Sequence, residues 1–170
     1  MDRCAECGYD YGSTGRANAV DVVLAGAESV AGALEAADRP DARPEPRRWS
    51  AVEYAAHVRD MLVVQRERVL DARLRDAPHP PRMGRDERVE WGEYDGLDVA
   101  DLARQTRDAA AWLARTFSLL DEADWSRTMS YNYPEPALRT LEWVASHTVH
   151  ELVHHAQDIR RNATDVRMPE

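Results

Sequence analysis

The segment His147-Thr-Val-His150-Glu151-Leu-Val-His154-His155, with Asp158 just beyond it, carries four of the chain's six histidines and a carboxylate. It spans about three turns of one predicted helix. Residues four apart share a helix face, so two ligand pairs overlap here: His150 with His154, and Glu151 with His155. Imidazole and carboxylate at this spacing are what one helix can offer a divalent transition metal, provided other segments complete the shell.

A helical wheel of about 100° per residue separates the pairs. Leu141, Ala145, Thr148, Leu152, Ala156 and Ile159 define an apolar side. With Leu152 as its centre, Glu151 and His155 lie roughly 60 to 100° away, at the edge of the core-facing stripe, and His150 and His154 lie about 160° away. One pair is expected to face the bundle interior and the other to face out. His57, in Trp49-Ser-Ala-Val-Glu53-Tyr54-Ala-Ala-His57-Val-Arg-Asp60, shares a side with Tyr54, Met61 and Val64. If its helix neighbours the histidine-rich one, His57, Glu151 and His155 form a three-ligand set with open positions, the pattern of a catalytic site. Asp60 and Asp158 each follow a ligand by three residues and are candidates to orient its imidazole.

The outward pair suggests a second centre. Cys4-Ala-Glu-Cys7-Gly8 has the form of a zinc knuckle, which holds half a tetrahedral shell. His150 and His154 can complete it as a structural zinc site, with His147 in reserve, stapling the N-terminal segment onto the helix. Both cysteines of the chain lie in this segment, so they cannot staple the fold as disulfides. A redox role is disfavoured, because the Cys-x-x-Cys of a thioredoxin-like site opens a helix in a βαβ setting that this sequence lacks.

Helices must position these groups. Residues 17 to about 38 are rich in Ala, Val and Leu at three- and four-residue spacing, and the proline-rich residues 39–46 end that helix. Ser50 with Glu53 makes a capping box for a second helix reaching about residue 75. Residues 76–95 contain three prolines and two glycines and read as a loop in which Trp91 and Tyr94 pack down. Asp98 caps a third helix, expected to run to about residue 124, with Leu102, Ala109, Trp112, Leu113, Thr116, Phe117 and Leu120 in its apolar stripe. Residues 125–139, including Tyr131, Tyr133, Pro134 and Pro136, read as a connector without strand alternation. A fourth helix covers about 140–162. The expected architecture is all-α: a four-helix bundle over 17–170, preceded by the Cys-x-x-Cys segment at 1–16.

Composition narrows the function. Among 170 residues, 31 are acidic and 22 basic, a net charge of -9, which argues against a nucleic-acid surface or a polybasic membrane contact. All the basic residues are Arg, which excludes a lysine Schiff base. The N-terminus lacks the basic and apolar regions of a secretory signal, and a cytoplasmic protein is expected. Small-molecule partners are expected, and the sequence leaves room for a homodimer.

The pairing of Trp49-Ser-x-x-Glu-Tyr-x-x-His57 with His150-Glu-x-x-His-His155-x-x-Asp158 resembles the DinB/YfiT-like superfamily of four-helix-bundle metalloproteins. That family includes mycothiol-dependent maleylpyruvate isomerase and metal-dependent thiol S-transferases. The resemblance covers nearly all of residues 17–162 in element order and implies a mirror-like variant of up-and-down topology. Family members commonly place one histidine on the second helix and two on the fourth. The isomerase branch has glutamate for the first of those two, which corresponds here to Glu151 with His155. The chain ends soon after the bundle, without that enzyme's C-terminal domain, which weighs against maleylpyruvate as substrate.

The leading expectation is therefore an enzyme whose divalent metal, zinc foremost, activates a low-molecular-weight, mycothiol-like thiol for S-transfer or thiol-assisted isomerisation. The alternatives are a metal-dependent hydrolase with Asp60 or Glu53 as base, and a non-enzymatic, stress-associated zinc bundle.

Overall fold

The computed structural model describes residues 3–132 and 135–166. Tyr133 and Pro134 of the second connector lie outside the described residues, as do Met1 and Asp2.

Four long helices form the bundle: α1 (Ala19–Glu35), α2 (Ala51–Leu74), α4 (Val99–Phe117) and α6 (Leu141–Asp165). Each of the last three starts at a side-chain cap. Ser50 accepts from the Glu53 amide at 3.2 Å, and the Glu53 carboxylate accepts from the Ser50 amide at 2.7 Å. Asp98 accepts from the Asp101 amide, and Thr140 from that of Trp143. These side chains satisfy amides that the first helical turn leaves unpaired.

The connections hold more structure than their composition suggests. Residues 76–95 contain a short helix, α3 (Arg85–Glu90), entered through Gly84 at φ +69°. Tyr94 packs down as expected, but Trp91 is 75% exposed. The third long helix stops at Phe117 instead of about 124, because Asp121 and Asp124 form a capping box that starts a new short helix, α5 (Glu122–Ser126). Trp112 does not belong to the buried stripe. It lies about 100° from Leu113 around the helix and is 58% exposed. The connector after Trp125 is a β-hairpin: β1 (Thr128–Tyr131) pairs antiparallel with β2 (Ala137–Thr140), Thr128 opposite Thr140 and Tyr131 opposite Ala137. Strands of four residues are too short for alternation to stand out, though Met129 and Tyr131 do point into the core.

Around the bundle the order is α1, α4, α2, α6. α1 and α2 each pack against both α4 and α6, while α1 and α2 touch each other little. The first two long helices, α1 and α2, thus sit diagonally, as do α4 and α6, which distinguishes this bundle from a simple up-and-down arrangement and makes α2 and α6 neighbours. These two run antiparallel: Asn162 donates to the Trp49 carbonyl at one end, and Gln65 donates to Tyr131, just before α6, at the other (2.7 Å). α1 approaches α6 so closely that a Cβ at Gly26 would lie 2.9 Å from Leu152. The N-terminal segment lies across the outer side of α6, with a 3-10 turn at Tyr11–Ser13. Among the described residues no helix is long and apolar enough to cross a membrane.

Candidate metal centre

The antiparallel packing of α2 and α6 brings His57 opposite Glu151 and His155. His57 Nε2 stands 3.8 Å from Glu151 Oε2, and His155 Nε2 stands 3.4 Å from the same oxygen. One donor atom from each of the three lies within 4.8 Å of the others. Both histidines are buried, at 3% and 6% exposure. Both ring nitrogens of His57 and Nε2 of His155 lack a hydrogen-bond partner. Buried polar atoms are ordinarily paired, and each unpaired one carries a desolvation cost of about 1–3 kcal/mol. Unpaired imidazole nitrogens of His57 and His155 converging on the Glu151 carboxylate fit a divalent metal held by two imidazoles and a carboxylate.

The rings of Trp49 and Tyr54 wall the site, 5.5 Å from His57 and 5.3 Å from His155, respectively. Asp158 Oδ2 is hydrogen-bonded to Nδ1 of His155 at 3.0 Å, which turns Nε2 toward Glu151. Asp60, the other expected orienting carboxylate, does not reach His57. It pairs with Arg59 and Arg88 and accepts from Tyr94 at 3.0 Å, because its position on α2 faces the α3 connection. Glu53 is likewise engaged by Arg43 (Nε to Oε2, 2.9 Å) and by its own helix cap.

The electrostatics follow from this crowding. Burial alone would raise the Glu151 carboxyl, but His150, His155 and His57 outweigh it and hold it well below the usual range. Burial likewise opposes the charge on His155, yet Asp158 and Glu151 bring that imidazole up to about 9. His57 moves down, chiefly through burial, which favours the neutral form that ligates a metal.

A second group gathers on the other side of α6, where Cys4, Cys7, His150 and His154 each place a donor atom within 4.8 Å of the others. The wheel places the histidine pair away from the core. His150 is nevertheless only 3% exposed, because the N-terminal segment covers it. Tyr9 and Tyr11 lie against its ring at 5.7 and 5.3 Å. Burial would raise the Cys4 thiol, but the backbone of Cys7 and Glu6, with His150 and Cys7 side chains, brings it down to about 6. His147, expected as a reserve ligand on an outer face, is 3% exposed among Tyr11, Tyr131 and Trp143. It bonds the Tyr11 hydroxyl at 2.9 Å and lies 3.7 Å from Glu151 Oε1, so it is buried beneath the N-terminal segment rather than presented on an outer face. No spacing signal marks Trp49 and Tyr54 as site walls. The second contact of Asp158, with His154 at 3.5 Å, is signalled by their i, i+4 spacing.

A helical bundle with a candidate metal centre built from side chains on two facing helices is the class that fold and site define together. The chain belongs to the DinB superfamily, whose family model matches residues 23–159. A solved structure of YfiT from Bacillus subtilis, described as a probable metal-dependent hydrolase with an unusual four-helix bundle topology, matches this fold with a TM-score of 0.75. It is 14% identical, and the match covers 91% of this chain and 89% of that one. No curated protein matches the sequence.

Proposed function

We propose that this protein is a divalent-metal enzyme, its ion held by His57, Glu151 and His155, that activates a low-molecular-weight, mycothiol-like thiol for S-transfer or thiol-assisted isomerisation. The observation that carries the reading is the convergence of His57 Nε2, His155 Nε2 and Glu151 Oε2 in a buried site where neither imidazole nitrogen has a hydrogen-bond partner. When bound there, a divalent cation, zinc foremost, supplies positive charge that favours a thiolate over a thiol at neutral pH.

The protein's own groups do the rest. Asp158 holds the His155 ring in one tautomer, with its proton on Nδ1. Trp49 and Tyr54 restrict water on the flank of the site. In S-transfer the thiol sulfur forms a bond to an electrophilic carbon, the leaving group departs with its electron pair, and the thiol proton passes to solvent.

Hydrolysis is the second reading, supported by the description of YfiT. Here the two carboxylates expected as base for an attacking water, Asp60 and Glu53, are engaged by arginines. A metal lowers the pKa of both ligands but deprotonates a thiol more completely than a water, so a thiol depends less on such a base, which supports the thiol reading.

The test uses metal-loaded protein with mycothiol, cysteine or glutathione and an electrophile such as a haloalkyl arene, alongside ester and amide substrates. The expected result is consumption of one thiol and electrophile together, lost in His57→Ala. Metal-dependent ester or amide cleavage without thiol turnover would establish the hydrolase instead. Loss of all turnover with metal retained would favour a non-enzymatic bundle.

A further inference from the structure

We propose that Cys4, Cys7, His150 and His154 hold a structural zinc ion that fastens the N-terminal segment across α6 and fixes the outer wall of the His57–Glu151–His155 centre. This site stands whether or not the inner centre turns over a thiol. Two thiols and two imidazoles form a complete tetrahedral zinc shell, leaving no position for substrate, which marks a structural site.

Several independent features point to an ion. Zn–S bonds of about 2.3 Å and Zn–N bonds of about 2.0 Å set tetrahedral S···N separations near 3.5 Å. Cys4 Sγ lies 3.9 Å from Nδ1 of His154, so a small contraction suffices. Both ring nitrogens of His150 are buried and lack a hydrogen-bond partner, although the side chain is 4% exposed. The cysteines are free, and the turn that carries them has a knuckle's form. The Gly8 amide donates to the Cys4 carbonyl at 3.0 Å, the Cys4 amide donates to the Tyr9 carbonyl at 2.8 Å, and Gly8 takes φ +74°.

The outer histidine is also oriented as a zinc ligand is. With Nδ1 of His154 toward Cys4, its Nε2 stands 3.4 Å from a Glu6 carboxylate oxygen and 3.5 Å from Asp158 Oδ2. A ligand histidine commonly gives its second N–H to a carboxylate. Around the shell the segment is already laid down: Gln157 donates to the Cys7 carbonyl at 3.2 Å, and Ser146 donates to the Tyr11 carbonyl at 2.8 Å.

The two centres share their supports. His150 Nδ1 stands 3.3 Å from Glu151 Oε1, the oxygen not directed at His57, and Asp158 Oδ2 faces both His154 and His155. Filling the outer site therefore immobilises the groups that aim Glu151 and His155.

The experiment is a cobalt titration of reduced, metal-stripped full-length protein. Two equivalents are expected to bind, one giving a thiolate-to-cobalt charge-transfer band with intense tetrahedral ligand-field bands. Cys4→Ser should abolish that band and lose one equivalent, while His57→Ala should lose the other equivalent and keep the band. Binding to the wild type with no thiolate band, or two full equivalents in Cys4→Ser, would overturn the site. A wild type that binds one equivalent with the thiolate band, unchanged in His57→Ala, would support this site and count against the inner centre only. Should Cys4→Ser not fold, X-ray absorption of the wild-type zinc form decides: sulfur scatterers are expected, and a shell of nitrogen and oxygen alone overturns the proposal. Hydrogen exchange reads the fastening, with the Cys4 and Gly8 amides expected to lose protection on chelation; unchanged protection would contradict it.

Discussion

The Oδ2 atom of Asp158 lies 3.0 Å from Nδ1 of His155. The same oxygen stands 3.5 Å from Nε2 of His154, so one carboxylate faces a histidine of each candidate centre. Asp158→Asn keeps the size of the side chain and removes its charge. It is expected to weaken metal binding by about tenfold to a hundredfold, the usual cost of losing such a partner. Competition against a chromophoric chelator measures it. Asp60→Asn is the control, since that carboxylate meets arginines and Tyr94, and metal affinity should not change. Equal affinities in the two variants would remove Asp158 from the site.

Acid and base should act in opposite senses on the metal-free protein and on metal binding. In the metal-free state burial works against the charge of His155, but Asp158 and Glu151 outweigh it and raise the group from 6.5 to about 9. A group raised on folding stabilises the fold fully below its unfolded value, and that contribution fades as pH climbs through the folded one. The denaturation midpoint of the metal-free protein is therefore expected to fall between pH 6.5 and about 9, with the slope reduced in His155→Gln. Metal needs the neutral imidazole, so each ion displaces a proton and apparent affinity rises over the same window. An affinity that is flat with pH would show that His155 is not a ligand.

Metal removal should be visible in stability. Ligand at a hundred times its dissociation constant stabilises a fold by about 2.7 kcal/mol. For a chain of this size each kcal/mol moves Tm by roughly 2–4 °C, so a rise of about 5–10 °C on adding zinc is expected by calorimetry. The rise should shrink in His57→Ala. An equal rise in that variant would place the binding elsewhere.

The contact between α1 and α6 can be tested through two glycines. A Cβ at Gly26 meets both Cβ and Cδ1 of Leu152 at 2.9 Å, whereas one at Gly32 meets nothing within 4 Å. Alanine gains up to about 1 kcal/mol over glycine inside a helix, but overpacking costs about 1–3 kcal/mol. Gly26→Ala should thus destabilise by roughly 1 kcal/mol and Gly32→Ala should stabilise by up to that amount, read from denaturant midpoints. A stabilised Gly26→Ala would mean the helices stand further apart.

Much of this was legible in the chain itself, because it depends on local geometry. Ser50 and Asp98 cap two of the long helices as their sequence context signals, and apolar spacing reveals all four. The phase of α6 alone separates Glu151 and His155 from His150 and His154, since 3.6 residues per turn is a property of the backbone. The four-residue hairpin strands were not legible, nor was the break after Phe117, where a short capping box decides the boundary.

Other relationships belong to tertiary structure alone. Asp60 and Asp158 each follow a histidine by three residues, and no local pattern distinguishes them. Packing turns the first to Arg88 and Tyr94 and the second to His155. Likewise, the residues of α6 do not say which helix lies beside it. The diagonal connection of α1 to α2 makes α2 its neighbour and delivers His57 to Glu151. His150 is buried only because a segment more than 130 residues earlier in sequence folds over it. Phase along a helix follows from the covalent chain, but partners across a core depend on how whole elements pack, and the chemistry proposed here needs both.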